Sequence, residues 1–469
     1  MITRLNRSTP LPRAKKLEYP QSDVAPARHE RPVVIVHGTL VDKKSIEAYR
    51  DYALKTGHPV DWQDYQGITD GALLQDSARQ VSHNVNQARQ ELARTHLAEL
   101  QGADPARLAR FFQCDDSVRG RKVAENLEWF VQKAAAEVTS PDTDTLSSRL
   151  KKLEGQLEKR LGGEEWTAKA AAHVTDCLAP KATLVGHSAG GYVAYALALN
   201  PEDGKKSKFP KYDGGLGVGE VVVLSSPIGK GMNFPAPPGL AELPFYQMVE
   251  SPILQPLEAS PLMKLAELNP FFKMGYALSK TATQTAWAMA TQMNTALLSP
   301  VIFAQKPGYE QVTGFSSFFK ESIKGKEVPD GVTVVSVTSK DDRMSLPSHS
   351  RIDDTRANAH NFDVDQQISA AELKRERPTW GHVQMSMKPE LFEQQFDQSL
   401  LDNPSEAARF LDPSNDDGAR YDVLQVLQKQ GSEWLAQQPE LKQAVARVAA
   451  ENQPFKDSPS ALAQRILRP

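Results

Sequence analysis

The chain has 469 residues, 55 of them Lys or Arg and 58 Asp or Glu, for a net charge of −3. The length fits about two to three domains or one large enzyme with insertions, and the near-neutral balance argues against a nucleic-acid binder, which usually shows a basic domain. Cys114 and Cys177 are the only cysteines, too few for a disulfide scaffold or a four-cysteine zinc site and in keeping with a reducing compartment.

Residues 1–30 read as an extended N-terminal arm, basic and proline-punctuated, without the apolar run of a secretory signal. No later window offers the roughly 18 uninterrupted apolar residues of a membrane span. The expectation is a soluble protein, cytoplasmic or exported by a route that leaves no Sec-type signature. The first predicted strand runs from Pro32 to Val36 and stops at His37-Gly38-Thr39. An unbroken β-branched run of this kind suits a strand buried on both faces, as in a parallel sheet. Three more such runs follow. Ala182–Val185 ends at Gly186, Glu220–Leu224 ends at Ser225-Ser226-Pro227, and Val332–Val337 ends at Ser339-Lys340-Asp341-Asp342. Strands alternating with helical stretches predict an α/β fold with a mainly parallel sheet, in which ligands bind outside the carboxyl ends of the strands.

Two insertions interrupt this core, which spans residues 31–400. The first, at about 68–162, is helical: Val81, Val85, Ala88 and Leu92 recur at helical spacing, as do Leu146, Leu150, Leu153, Leu157 and Leu161. Such one-sided stripes are read as packing faces, with partner binding as the second reading. The second, at about 231–330, is rich in large apolar residues such as Leu243, Phe245, Trp287 and Met293. It reads as a helical subdomain with its own core and, more sharply, as a lid over an apolar acyl-binding cleft. Residues 401–469 read as a C-terminal helical extension.

The chemistry concentrates at the predicted strand ends. Gly186-His187-Ser188-Ala189-Gly190 is a G-x-S-x-G sequence between a buried-strand pattern and a helix. That is the setting of a nucleophile elbow, a tight strand-to-helix turn that lifts a serine hydroxyl above the sheet. Gly186 and Gly190 keep the crowded turn free of side chains. At the end of the first strand, Gly38 permits close backbone approach, and the N–H groups of Thr39 and Ala189 are the expected oxyanion donors. Leu40 replaces Thr39 if the loop is displaced by one residue. His37 is read as a supporting residue that bonds neighbouring loops. Of the adjacent Asp341 and Asp342, the latter is chosen as the acid because Asp-Arg-apolar followed by Pro is a familiar loop after that residue. His349, His360 and His382 all follow it. His382, in a Gly-His loop ahead of an amphipathic helix, is the chosen base, and His349 and His360 are read as surface residues.

Together VVIVHGT, TLVGHSAGG, VVVLSSP, SKDDRMSLP and TWGHV resemble, in that order, an α/β-hydrolase of the lipase/esterase type. The resemblance covers roughly half of the chain and implies an α/β-hydrolase fold with Ser188 as nucleophile, Asp342 as acid and His382 as base. The order Ser…Asp…His is the one this fold uses. Ser226-Pro227-Ile228-Gly229 departs from a related lipase segment, with Ile228 where many lipases have histidine. The implied activity is acyl-ester hydrolysis by a lipase or phospholipase, with no metal or organic cofactor; some similar lipases carry a structural calcium ion, whose ligands do not map here. The expected partners are an ester or lipid substrate and, through the lid, a transient lipid surface, with no nucleic acid; nothing fixes the oligomeric state. Thioester hydrolysis, amide hydrolysis or acyl transfer would use the same triad. A non-catalytic scaffold, or a secreted effector lipase acting on a foreign membrane, are the readings of other kinds.

Overall fold

The computed structural model describes residues 17–21, 31–38, 46–61, 73–139, 146–200, 212–231, 311, 316–342, 345, 347–352, 356–365, 382, 385 and 387–468. The predicted lid, the loop from Thr39 onward and most of the N-terminal arm lie outside these residues.

Among them, six parallel strands form one sheet in the order β2-β1-β3-β4-β5-β6. They are β1 (Val33–Val36), β2 (Val60–Asp61), β3 (Ala182–His187), β4 (Val218–Leu224), β5 (Thr333–Thr338) and β6 (Ala359–Asp363). The four apolar runs of the sequence supply β1, β3, β4 and β5. Two strands carry no such run: β2 has only two residues, and β6, with the sequence AHNFD, is half polar.

Side chains along β1 alternate between two cores, as a period of two requires. Val34 and Val36 join one cluster with Leu184, Val223 and Val334. Helices α2 (Leu74–Leu100) and α7 (Ala189–Leu199) close it with Leu74, Val81, Val85, Tyr192 and Leu197. Val33 and Ile35 join the other with Val185, Val335 and Phe362. Helix α1 (Glu47–Lys55) closes that face together with helices α10 (Pro389–Asp402), α11 (Pro404–Phe410), α12 (Asp417–Gln430), α13 (Ser432–Ala436), α14 (Pro439–Ala450) and α15 (Pro459–Leu467). The helices after residue 400 therefore share one core with the sheet. The remaining helices are α3 (Pro105–Phe111), α4 (Val118–Thr139), α5 (Leu146–Arg160), α6 (Glu165–Leu178), α8 (Ser317–Ser322) and α9 (Pro347–Ser350).

The first insertion has a core of its own. Helix α2, at 27 residues about 40 Å long, leaves the sheet to join α3–α6, where Phe112, Leu127, Phe130, Leu153, Leu157, Leu161 and Val174 are buried. Both leucine and valine stripes of the sequence thus lie on buried helix faces. Phe455, just before α15, enters this core and stacks on His173 with ring centroids 3.7 Å apart. Of the arm, Leu17 packs on Ala88 and Leu92, and Glu18 exchanges backbone hydrogen bonds of 3.0 and 2.8 Å with Val60 of the edge strand.

A buried ion pair fastens the C-terminal helices to the amino ends of the strands. Arg31, two residues before β1, donates from Nη1 to Asp416 Oδ2 at 2.5 Å. Asp416 also caps α12, accepting from the N–H of Gly418 at 2.9 Å and of Ala419 at 3.3 Å. At the other end of the sheet, the order of strands reverses around β1: the chain steps to β2 on one side, then returns to β3 on the other. Such a switch point opens a crevice at the carboxyl ends of the flanking strands.

Candidate active site

Ser188 sits at that switch point, on the turn between β3 and α7, with φ 55° and ψ −126°. A residue with a Cβ is strained in this conformation, which persists only where the surroundings fix it. Here the Ser188 N–H donates to the Leu224 carbonyl of β4 at 2.9 Å, and its own carbonyl accepts from Gly191 N–H at 3.1 Å. The turn is packed too tightly for side chains. A Cβ on Gly186 would stand 2.5 Å from Gly191 Cα, and one on Gly190 would collide with the carbonyls of Val36 and His37. The start of α7 is therefore pressed onto the end of β1. Gly38 completes the contact, since a Cβ there would lie 2.8 Å from Ser188 Cβ. Ala189 opens α7, so its N–H is among those without an intrahelical acceptor. Thr39 and Leu40 lie outside the described residues. His37 donates from Nδ1 to the Gly38 carbonyl at 3.1 Å.

The loop after β5 places two adjacent carboxylates differently. Asp341 is half-buried. Asp342 turns inward, its side chain 0% exposed. Its Oδ1 accepts from Ser345 N–H at 2.9 Å, and its Oδ2 accepts from His382 Nδ1 at 2.9 Å. Burial pushes the Asp342 carboxyl up; the His382 imidazole beside it, with the Ser225 hydroxyl and the Ser345 N–H, outweighs that and holds it below its ordinary range. His382 is itself only 4% exposed. With Nδ1–H given to a carboxylate, the neutral ring carries its lone pair on Nε2. Among the described residues, Nε2 has no hydrogen-bond partner.

The structure thus brings Gly38, Gly186, Ser188, Ala189 and Gly190 together on the β1 and β3 ends, and pairs Asp342 with His382. It links the two groups through a residue that sequence reasoning passes over as the variable position of G-x-S-x-G. His187 Nε2 donates to the His382 carbonyl at 2.9 Å, and the two rings lie 4.6 Å apart. The signal is a histidine directly beside the serine.

His360 departs from expectation. Rather than a surface residue, it is in β6, 1% exposed, opposite Val335 in the middle of β5. Its ring stacks on Phe410 at 3.4 Å, Nδ1 faces Glu406 Oε1 at 2.7 Å and Nε2 faces Asn415 Oδ1 at 3.0 Å. Its partners come from the C-terminal region, and the neighbouring Asn361 bonds the Ile352 main chain, so these two polar residues of the strand are internally hydrogen-bonded. His349 is half-buried, and its carbonyl accepts from Gly229 N–H at 2.8 Å and Lys230 N–H at 3.2 Å.

The chain is an α/β protein with a parallel sheet, and none of its described helices is long and apolar enough to cross a membrane. No protein-family model matches it, and no curated protein does. Among solved structures, it is similar to the crystal structure of a lipase-esterase related protein from Clostridium acetobutylicum. The two are 10% identical with a TM-score of 0.27, over 78% of this chain and 97% of that one. So coarse a likeness assigns no residue a role; the site stands on its own geometry.

Proposed function

We propose that the chain is a serine carboxylic-ester hydrolase, a lipase or phospholipase, with Ser188 as nucleophile, His382 as general base and Asp342 as its orienting acid. One observation carries the reading: a buried carboxylate–imidazole pair leaves Nε2 of His382 unengaged at the same strand ends that present Ser188 on a strained turn. In this mechanism Ser188 Oγ attacks the ester carbonyl carbon and passes its proton to His382 Nε2. Asp342, already ionised, stabilises the imidazolium without taking the proton. The carbonyl oxygen becomes an oxyanion at the amides of Ala189 and, by the reading of the sequence, Thr39. His382 returns the proton to the leaving alcohol as the carbon–oxygen bond breaks. Water then attacks the acyl-enzyme by the same relay, releasing the acid and restoring Ser188. The apolar composition of residues 231–330 favours an acyl chain over a small polar ester.

Hydrolysis of a p-nitrophenyl ester series from acetyl to palmitoyl, by wild type and Ser188→Ala, tests this reading. Wild type should turn over with an optimum at long chains, and Ser188→Ala should fall to background. Equal rates in both proteins would overturn the assignment of the nucleophile. An optimum at acetate would overturn the lipid substrate and leave an esterase.

A further inference from the structure

We infer that His187 is a positioning residue for the base: its Nε2–H holds the main chain of His382 and so sets where the imidazole stands relative to Ser188. The inference rests on the proposed roles of Ser188 and His382. It begins with a direction of donation. A carbonyl oxygen can only accept, so the 2.9 Å contact from His187 Nε2 to the His382 carbonyl fixes the proton on Nε2. The ring is fully buried, and burial, reinforced by His382, pushes its pKa down to about 3. His187 is thus a neutral donor across the pH range in which an ester hydrolase works. The titratable groups that face it are His382 and Asp342.

The opposite edge of the ring then carries the lone pair. Nδ1 is buried without a hydrogen-bond partner among the described residues, and a Cβ on Gly38 would stand 3.5 Å from it. His187 therefore fills the space between the end of β1 and the base. Its neighbour in the chain is the proposed nucleophile. The turn that orients Ser188 also anchors His382, so nucleophile and base share one frame although 195 residues separate His187 from His382. Proton transfer tolerates little misplacement, which gives such an anchor catalytic weight without touching substrate.

The variants His187→Gln and His187→Leu separate anchoring from packing. Gln keeps an amide donor of similar reach; Leu keeps volume and loses the donor. In full-length protein, His187→Leu should lower kcat on the best p-nitrophenyl ester about 10- to 100-fold, with KM nearly unchanged. The low-field proton resonance of His382 Nδ1–H should broaden or vanish. His187→Gln should recover most of kcat and the resonance. If His187→Leu does not fold, His187→Asn replaces it, since its shorter side chain falls short of the carbonyl, and the same loss is expected. Wild-type kcat and an intact resonance in a folded Leu or Asn variant would overturn the inference. So would Gln and Leu variants that lose kcat equally. If the wild type neither hydrolyses esters nor reacts with a fluorophosphonate, the proposed function fails instead. The resonance still decides whether His187 places His382.

Discussion

Replacing Asp342 by Asn removes one charge from the buried pair and nearly nothing from its shape. The amide has two ways to sit. With its oxygen toward Ser345 N–H, as Oδ1 is now, its NH₂ meets His382 Nδ1 and forces the proton of the neutral ring onto Nε2. The base then lacks its lone pair where Ser188 needs it, a fault that costs about 10⁴ in kcat in a comparable triad. With the amide reversed, the tautomer survives, but two N–H donors oppose each other in a buried place, at about 1–3 kcal/mol. The imidazolium formed during attack also loses its carboxylate. At an effective dielectric constant of about 20, an ion pair roughly 4 Å apart is worth about 4 kcal/mol, or about 10³ in rate. Both arrangements therefore predict a fall of about 10³ to 10⁴ in kcat, with KM little changed. Steady-state hydrolysis of the preferred p-nitrophenyl ester reads the effect, and circular dichroism checks that the variant is folded. A folded Asp342→Asn enzyme within about tenfold of wild type would refute the reasoning, because neither arrangement leaves so active a base.

Two further predictions concern the charges at the amino ends of the strands. Asp416→Asn keeps an N-cap on α12 but strips Arg31 of its buried counter-ion. Because Asp176 and Glu220 also face Arg31, the loss should lie at the low end of the range for a broken buried pair, about 3 kcal/mol, read as a lowered urea midpoint at neutral pH. Arg31 and Lys181 hold the Asp416 carboxyl down, at about 2 against the desolvation of burial. Its folded pKa is below its unfolded one, so this stabilisation is present above the ordinary value of 3.8 and disappears as pH falls toward 2. Glu220 has the opposite sign. Burial, with Asp422 adding, raises its carboxyl from 4.5 to about 7. The wild type should lose stability between those values as pH rises, and Glu220→Gln should abolish that slope. The difference should approach about 3 to 4 kcal/mol above pH 7, since a tenfold change in proton affinity corresponds to about 1.4 kcal/mol. Parallel urea midpoints for the two proteins from pH 4 to 8 would contradict the assignment.

The parts of the fold legible in the sequence are those whose burial is continuous. Val33–Val36 is apolar on both faces because the sheet is covered on both sides, and Val332–Val337 departs from that only at Thr333 and Ser336, whose buried hydroxyls are hydrogen-bonded to Asn415 and to the Ser350 carbonyl. β6 is illegible because its stability is not local. His360 and Asn361 are polar residues satisfied by Glu406, Asn415 and Ile352, partners from 9 to 55 residues away. The C-terminal helices are legible as helices but not as one wall of the sheet's core, because an amphipathic face does not name what it packs on. At the site, the small residues of the Ser188 turn advertise themselves through composition. Asp342 and His382 are reachable through the order of motifs, while their 2.9 Å pairing joins positions 40 apart in the chain and is not written in either motif. His187 escapes notice because the motif treats its position as free, although its ring faces His382 and bonds its carbonyl.

The central claim is that Ser188 is a nucleophile activated by His382. Incubation of the full-length protein with a fluorophosphonate, followed by peptide mass spectrometry, tests it without assuming any substrate. The account predicts a single adduct on Ser188, formed at a rate that falls steeply in Asp342→Asn and His382→Ala. No adduct on Ser188 in folded wild-type protein, or labelling indifferent to both substitutions, would contradict it.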